Sequence, residues 1–420
     1  MIQTIELLPG IRFRYFPDNR FKQGALSIQL VRPMRREEAA KNALLSAVLL
    51  RGCREYPDMR SVIRRLDDLY GASAGTMVRR VGDYQTMGFC CGFIDDRFAL
   101  DGDRVTEPML DFSAALLLDP VLEKGIFRSD YVESEKKNLI ATIEAELNDK
   151  RVYANSQMMR LMCKEDSFGI PRLGEKEDVQ AITPQCLYDH YRKILRESPM
   201  EIFYVGSAPL QLVAERVKEL LGKIERNYVN LSPQTPFIDG GGSDTVETMD
   251  VTQGKLSMGF VTPITIRDEG FVAMQLLNVI FGSGMTSKLF MNIREKQSLC
   301  YSIGSGYHGS KGIMTVSAGI DCDKDQLVRA AVLEQLEACC RGDISDGELR
   351  SAKEALCSSL RATHDSPAAI EGFYSTAALS GMNLTPGTYM EAVERTTKEQ
   401  IVAAAKSLKL HTVYFLRGEA

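Results

Sequence analysis

The stretch GALSIQLVRP (24–33) aligns with GKLSMGFVTP (254–263) at a shift of 230 residues, with five of the ten positions identical. The matches are Gly24 with Gly254, Leu26 with Leu256, Ser27 with Ser257, Val31 with Val261 and Pro33 with Pro263. At the same shift ALLSAVLLRG (43–52) falls on AMQLLNVIFG (273–282), with Ala43 on Ala273 and Gly52 on Gly282. Each copy opens with a short strand of alternating apolar residues, closed by a proline that cannot continue a hydrogen-bonded ladder, and then enters a long helix. The chain reads as two copies of one strand-then-helix module. Between them NLSPQTPFIDGGGSDTVE (230–247) combines prolines, three glycines and polar residues, the composition of a linker, and divides the chain into 1–229 and 248–420.

Within the first copy SVIRRLDDLYG and PMLDFSAALLLDPVL carry helical periodicity, DYQTMGFCCGFI alternates as a strand, and a further helix runs from Val132 to about Asn148. The second copy repeats the order, with a strand at IMTVSAGID and helices over DQLVRAAVLEQLEACC and SDGELRSAKEALCSSLRA. Such mixed runs predict an α+β protein of two homologous halves, each an α/β sandwich with a mostly antiparallel mixed sheet and helices on one face.

At 420 residues the chain is too long for one ordinary core, and 44% hydrophobic with 25% charged residues is ordinary globular composition. A net charge of −5 argues against nucleic acid as a partner, since phosphate binding needs a concentrated basic field. No stretch is long and apolar enough to span a bilayer and MIQTIELLPGIRFRYF is not a signal peptide, so no membrane association and a cytoplasmic location are expected. The ten cysteines form no CxxC pair and read as buried thiols.

The helix ending in NALLSAVLLRGC (42–53) places Ala43, Ser46 and Ala47 together on one face, at the i, i+3, i+4 spacing where side chains meet. In the second copy FGSGMTSKLFMNIREKQSLCYSIGSGY (281–307) is similar to the glycine, Met-Ser-Arg-Leu-Phe segment of the M16 metallopeptidases, the insulinase and mitochondrial processing peptidase family, with its following Arg and Tyr at Arg294 and Tyr301. The chain resembles that family over nearly its whole length, which implies the LuxS/MPP-like metallohydrolase fold. Active members carry an inverted zinc motif, HxxEH, on the first helix of the first copy. There two imidazoles hold Zn²⁺ and the glutamate is the general base toward the metal-bound water. The resemblance puts Ala43, Ser46 and Ala47 at the His, Glu and His positions. The third ligand, a glutamate seven residues after another glutamate, falls on Thr142, counted from Glu135. The neighbouring Glu144 and Glu146 point to another helix face and read as solvated charges.

Zinc needs at least three converging N, S or O ligands, and these positions do not supply them. No metal or cofactor is expected in this chain, with zinc confined to a catalytic partner. His190, His308, His364 and His411 are too dispersed to form a replacement. The resemblance gives Arg294 and Tyr301 a contact with the substrate carbonyl beside the scissile bond, where a guanidinium and a phenol stabilise a forming oxyanion. The plainer reading pairs Arg294 with an acidic neighbour and puts Tyr301 in the core. Gly282 and Gly284 read as a tight turn first and a substrate loop second. Some M16 assemblies divide labour between a zinc-bearing subunit and a degenerate one that keeps the Arg and Tyr. The expected function is therefore that of a non-catalytic subunit pairing with a zinc-bearing M16 partner in a peptide-processing heterodimer. The alternatives are a purely structural subunit and a stand-alone peptide-binding protein.

Overall fold

The computed structural model describes residues 2–418, apart from the side chain of Leu147. Its described residues build two larger sheets, one on each of the aligned stretches. The first runs β1 (Gln3–Leu8), β2 (Ile11–Pro17), β6 (Met200–Gly206), β3 (Gln23–Pro33), β5 (Tyr84–Ile94), β4 (Ser73–Val81) from edge to edge. The second runs β9 (Ser302–His308), β10 (Ile313–Ile320), β8 (Gly254–Val261), β11 (Lys409–Gly418), β7 (Ser243–Met249). In each sheet one pair is parallel, β2 with β6 and β7 with β11, and the rest are antiparallel. The duplication extends to the ladders: Gly24 stands opposite Phe93 and Gly254 opposite Ile320.

Helix α1 (Arg36–Leu50) buries Leu44, Leu45, Val48 and Leu49 in one core with Leu26, Ile28 and Leu30 of β3. It ends at Gly52, whose φ of 154° and whose Tyr56 carbonyl, 2.4 Å from where a Cβ would stand, admit no side chain. Helices α2 (Ser129–Asn148) and α4 (Pro184–Glu197) belong to the same half of the chain as α1, and Leu139, Ile140 and Leu187 join its core. In the second copy the expected long helix is shorter: α5 (Phe271–Asn278) passes into π-helical turns over Val279–Ser283 and Leu289–Lys296. Among the described residues no helix is long and apolar enough to cross a membrane.

The division of the chain differs from the one expected at 230–247. That stretch has no regular structure up to residue 242, but Ser243 already starts β7, which pairs with β11. The compact units are also not contiguous. One takes Met1–Glu144, Ile170–Pro233 and His364–Thr376; the other takes Ala145–Gly169, Gln234–Thr363 and Ala377–Ala420. Each half therefore lends a helix, α3 (Lys150–Met162) to the second unit and the first part of α6 (Pro367–Ser380) to the first.

This exchange adds a helix on the second face of the central strands, beyond the helices expected on the first, and the physical reason lies in the strands. A strand turns alternate side chains to opposite faces, and both faces of the central strands need cover. In the first unit Ser27 and Gln29 of β3 are buried opposite Leu26 and Ile28. Glu371 of α6 accepts from Ser27 Oγ at 2.9 Å, Gln29 Nε2 at 2.7 Å and both Nη atoms of Arg79 at 2.9 Å, while Gln29 also donates to Ser375 at 3.0 Å. Beside this polar clamp Ile370 packs on Phe16 and Val205. In the second unit the cover is apolar: a Cβ at Gly259 of β8 would lie 2.6 Å and 2.7 Å from the sulfurs of Met162 and Met158.

Glu371 is 4% exposed, and its loss leaves a guanidinium and two buried polar side chains without their acceptor. Glu371→Ala is expected to cost about 3 kcal/mol in urea unfolding, and Glu371→Gln, which still accepts from Ser27, clearly less.

Candidate functional site

The small residues of α1 open onto a cavity of about 500 Å³ in the first unit. Ala43 and Ala47 line it from α1, Glu135, Asn138 and Thr142 from α2, and Thr76 to Arg79 from the edge strand β4, with Cys90 and Arg172. The structure thus gathers Ala43, Ala47 and Thr142, which are far apart in the sequence, around one space. Ser46 is 2% exposed and is not among the lining residues.

The donors in this space do not fit a zinc ion. Ala43 and Ala47 present methyls, and Thr142 Oγ1 donates to the Asn138 carbonyl at 2.9 Å, the backbone four residues earlier. Glu135 is the carboxylate lining the cavity, and it is committed: Arg51 lies 3.2 Å away and Asn138 Nδ2 donates to it at 3.0 Å. Arg51 also rests over the Tyr131 ring, 5.0 Å from its centroid. Glu144 is exposed and ion-paired with Lys176, in keeping with a solvated charge. Among the described residues no three His, Cys, Asp or Glu side chains gather as a metal ion requires. The Arg51–Glu135 pair escaped sequence reasoning, although a cation one turn past the motif positions was its available signal.

Directly beside Ala43, Asn42 anchors a buried chain of hydrogen bonds. His190 Nε2 donates to Asn42 Oδ1 at 2.6 Å, Asn42 donates to Gln85 at 2.8 Å, and Gln85 donates to the carbonyls of Ala39 (3.2 Å) and Arg172 (2.7 Å). The chain is satisfied with a neutral imidazole protonated at Nε2. Burial, joined by the charges of Lys41, Arg32 and Lys193 and opposed by Glu38, lowers the His190 pKa to about 4. His190 is thus a support for α1 and not a ligand.

Arg294 and Tyr301 lie in the second unit. Arg294 Nε donates to the backbone carbonyl of Tyr301 at 3.0 Å, its guanidinium lies 4.6 Å from the Phe290 ring centroid, and Glu295 is 3.3 Å away. Tyr301 is 60% exposed, so it is not the core residue of the plainer reading. Its hydroxyl donates to Asp321 at 2.6 Å, and that bond with the Asp321 charge holds the phenol above its ordinary pKa. The expected tight turn resolves differently at its two glycines. Gly282 sits inside the π-helical turn, where a Cβ would meet Leu289 at 2.6 Å and Ser305 at 2.7 Å. Gly284 is extended, opens a turn closed by the Ser287 N–H at 3.0 Å, and faces open space.

Comparison with known proteins agrees with this geometry. The Peptidase M16 inactive domain matches residues 181–356. A Bacillus subtilis protein named "Probable inactive metalloprotease YmfF" is 29% identical over 97% of this chain and 96% of its own. A crystal structure of a conserved protein from Enterococcus faecalis superposes with a TM-score of 0.93 at 26% identity, covering 100% of this chain and 99% of that one. The M16 inactive domain from Pseudomonas fluorescens shares the fold at a TM-score of 0.84 and 18% identity, over 100% and 98% of the two chains. The chain is similar to M16 peptidases and to their inactive members over nearly its whole length. The positions that the resemblance assigns to the HxxEH motif and the third ligand hold two methyls and two hydroxyls, which do not make a zinc site.

Rebuilding the ligands tests the geometry of the cavity. The Ala43→His, Ala47→His, Thr142→Glu triple variant of the chain is expected to retain about one equivalent of zinc after gel filtration, measured by elemental analysis, and the parent chain none. A second expectation concerns acid. Between pH 6.5, the ordinary histidine value, and about 4, the unfolded chain takes up a proton that buried His190 refuses. Stability therefore falls as pH drops through this window, by about 3 kcal/mol in all, and urea unfolding of His190→Gln is expected to show a flatter slope.

Proposed function

We propose that this chain is the non-catalytic subunit of a two-chain M16 peptidase, pairing with a zinc-bearing partner and lending Arg294 and Tyr301 to a peptide the partner cleaves. The supporting observation is an asymmetry within the chain. The ligand positions around the first unit's cavity are chemically blank, while the Arg–Tyr pair is held in place by Phe290 and Asp321 and left accessible. Arg294 has Nη donors beyond the bond its Nε makes to Tyr301. The phenol keeps its proton through neutral pH, and to serve the substrate it turns that single O–H away from Asp321. Both are suited to a developing oxyanion that a metal on another chain polarises.

An extended substrate adds as a strand to a free sheet edge, which secures main-chain hydrogen bonds with little regard to side chains. The edge strand β4, beside the blank cavity, offers such an edge in the first unit. The two subunits together enclose a chamber that admits short or unfolded polypeptides, in the cytoplasm.

The purified chain mixed with a zinc-bearing M16 subunit from the same cell is expected to cleave a quenched fluorescent peptide that neither cleaves well alone. Arg294→Ala is expected to lower kcat/KM of the mixture by about tenfold to a hundredfold, and Tyr301→Phe by about tenfold. Activity of the mixture unchanged by both substitutions rules out the shared site. A stable complex whose activity does not depend on this chain at all points to the structural subunit instead.

A further inference from the structure

A second cavity, of about 430 Å³, lies wholly in the second unit and takes no part in the function proposed above. Its floor is Gly304 and Gly306 of the edge strand β9 with Thr315 and Ser317 of β10, and Arg151 and Asn155 of α3 stand over it. The volume falls in the range of about 300–1,000 Å³ typical of small-ligand sites.

The glycines are the first clue. A glycine inside a strand weakens it and marks a bulge, a forced close approach, or a place where a ligand comes near the backbone. The β9–β10 ladder runs without a register shift, and neither glycine has a positive φ. A Cβ at Gly306 would meet only Thr315 Oγ1 at 3.5 Å, and one at Gly304 only the Gly282 carbonyl at 3.4 Å, both ordinary contacts. Neither local geometry nor packing asks for glycine at 306. The first unit shows what can stand there. Carried across the matched ladders, Met77, paired with Gly88, corresponds to Gly306, paired with Thr315, and Met77 is 4% exposed. One copy places a side chain here, in the wall of its own cavity, and the other places none.

The polar groups around the opening are the second clue. Asn155 Oδ1 is shielded from solvent and has no hydrogen-bond partner among the described residues, a costly state for a carbonyl oxygen. Arg151 is largely exposed, and its ion pair with Asp149 is a long 3.9 Å. The cavity is therefore lined by a residue whose amide oxygen is unpaired and shielded, and by a loosely held cation, above a shelf of backbone and hydroxyls.

We propose that this cavity binds the carboxylate and adjoining N–H of an amino acid or of a polypeptide's C-terminus, with Arg151 on the carboxylate, the Asn155 amide turning its oxygen out to the N–H, and Gly306 leaving room for both. A guanidinium is matched to a carboxylate, and an amide N–H supplies the donor that Asn155 lacks. The site belongs to this chain alone and stands whether or not a zinc-bearing partner exists.

Isothermal titration of the full chain tests it with three probes: N-acetyl-trialanine, the same peptide as its C-terminal amide, and N-acetylalanine. The free-acid peptide is expected to bind, and the amide about tenfold more weakly or worse. Equal affinity for N-acetylalanine assigns the site to single amino acids, and weaker binding of it assigns the site to chain ends. Arg151→Gln, on an exposed side chain, is expected to weaken the free acid about tenfold. Gly306→Met, which installs the first unit's side chain, is expected to abolish binding, with Ser317→Leu as the filling variant should the former not fold. Equal binding of acid and amide, affinity unmoved by the filling variant, or no binding of the free acid at about 10 mM overturns the proposal.

Discussion

The structure depends on covering both faces of two duplicated sheets. One face of each is a conventional helix-backed core, and the other would be solvated in a simple two-layer sandwich. Here it is buried under a helix from the other half of the chain, and each unit solves the contact in its own way. Gln29 and Ser27 are buried polar groups, costly without acceptors, so Glu371 with its Arg79 partner is the residue that makes α6 specific for its sheet. Against β8 the fit is by shape, with Gly259 hollowed out for two methionine sulfurs. Neither unit is completed by its own half of the sequence.

This arrangement explains how the chain can carry no ligands around the first unit's cavity and remain folded. The residues that hold α1 are Leu44, Leu45, Val48 and Leu49 in the core, and Asn42 in the chain through His190 and Gln85. Ala43 and Ala47 project from the remaining face into the cavity. Stability and metal binding are carried by different sides of the same helix, so small residues on the cavity side leave the core side untouched. The Arg51–Glu135 pair then neutralises the cavity's carboxylate, which would otherwise be a desolvated charge.

The sequence made much of this legible, and the reasons for the rest are specific. The match of Gly24 with Gly254 located both central strands, because alternation and a terminal proline are local signals. The resemblance put Thr142, seven residues after Glu135, at the third-ligand position, and Thr142 lines the cavity with Ala43 and Ala47. The exchange of α3 and α6 was hidden, since periodicity reports that a helix has a buried side but not which sheet covers it. Ser243 to Glu247 were read as linker because Ser, Asp and Thr dominate their composition, whereas β7 is an edge strand whose exposed positions need no apolar residues. Tyr301 was given a core alternative because an isolated tyrosine carries no sign of its exposure. Asn155 and Arg151 drew no notice, because their surroundings come from β9 and β10, about 150 residues away.

Duplication also gives the chain an internal control that a single domain lacks. Corresponding positions began with the same structural task, so a difference between copies that packing does not require calls for another cause. At α1 the first copy has the cavity and not the ligands; at β9 the second copy has glycine where the first has a buried methionine. The two departures are opposite in kind. One has no ligand chemistry in a space that the fold keeps, and the other has an unpaired amide oxygen beside a space where the strand carries no side chain.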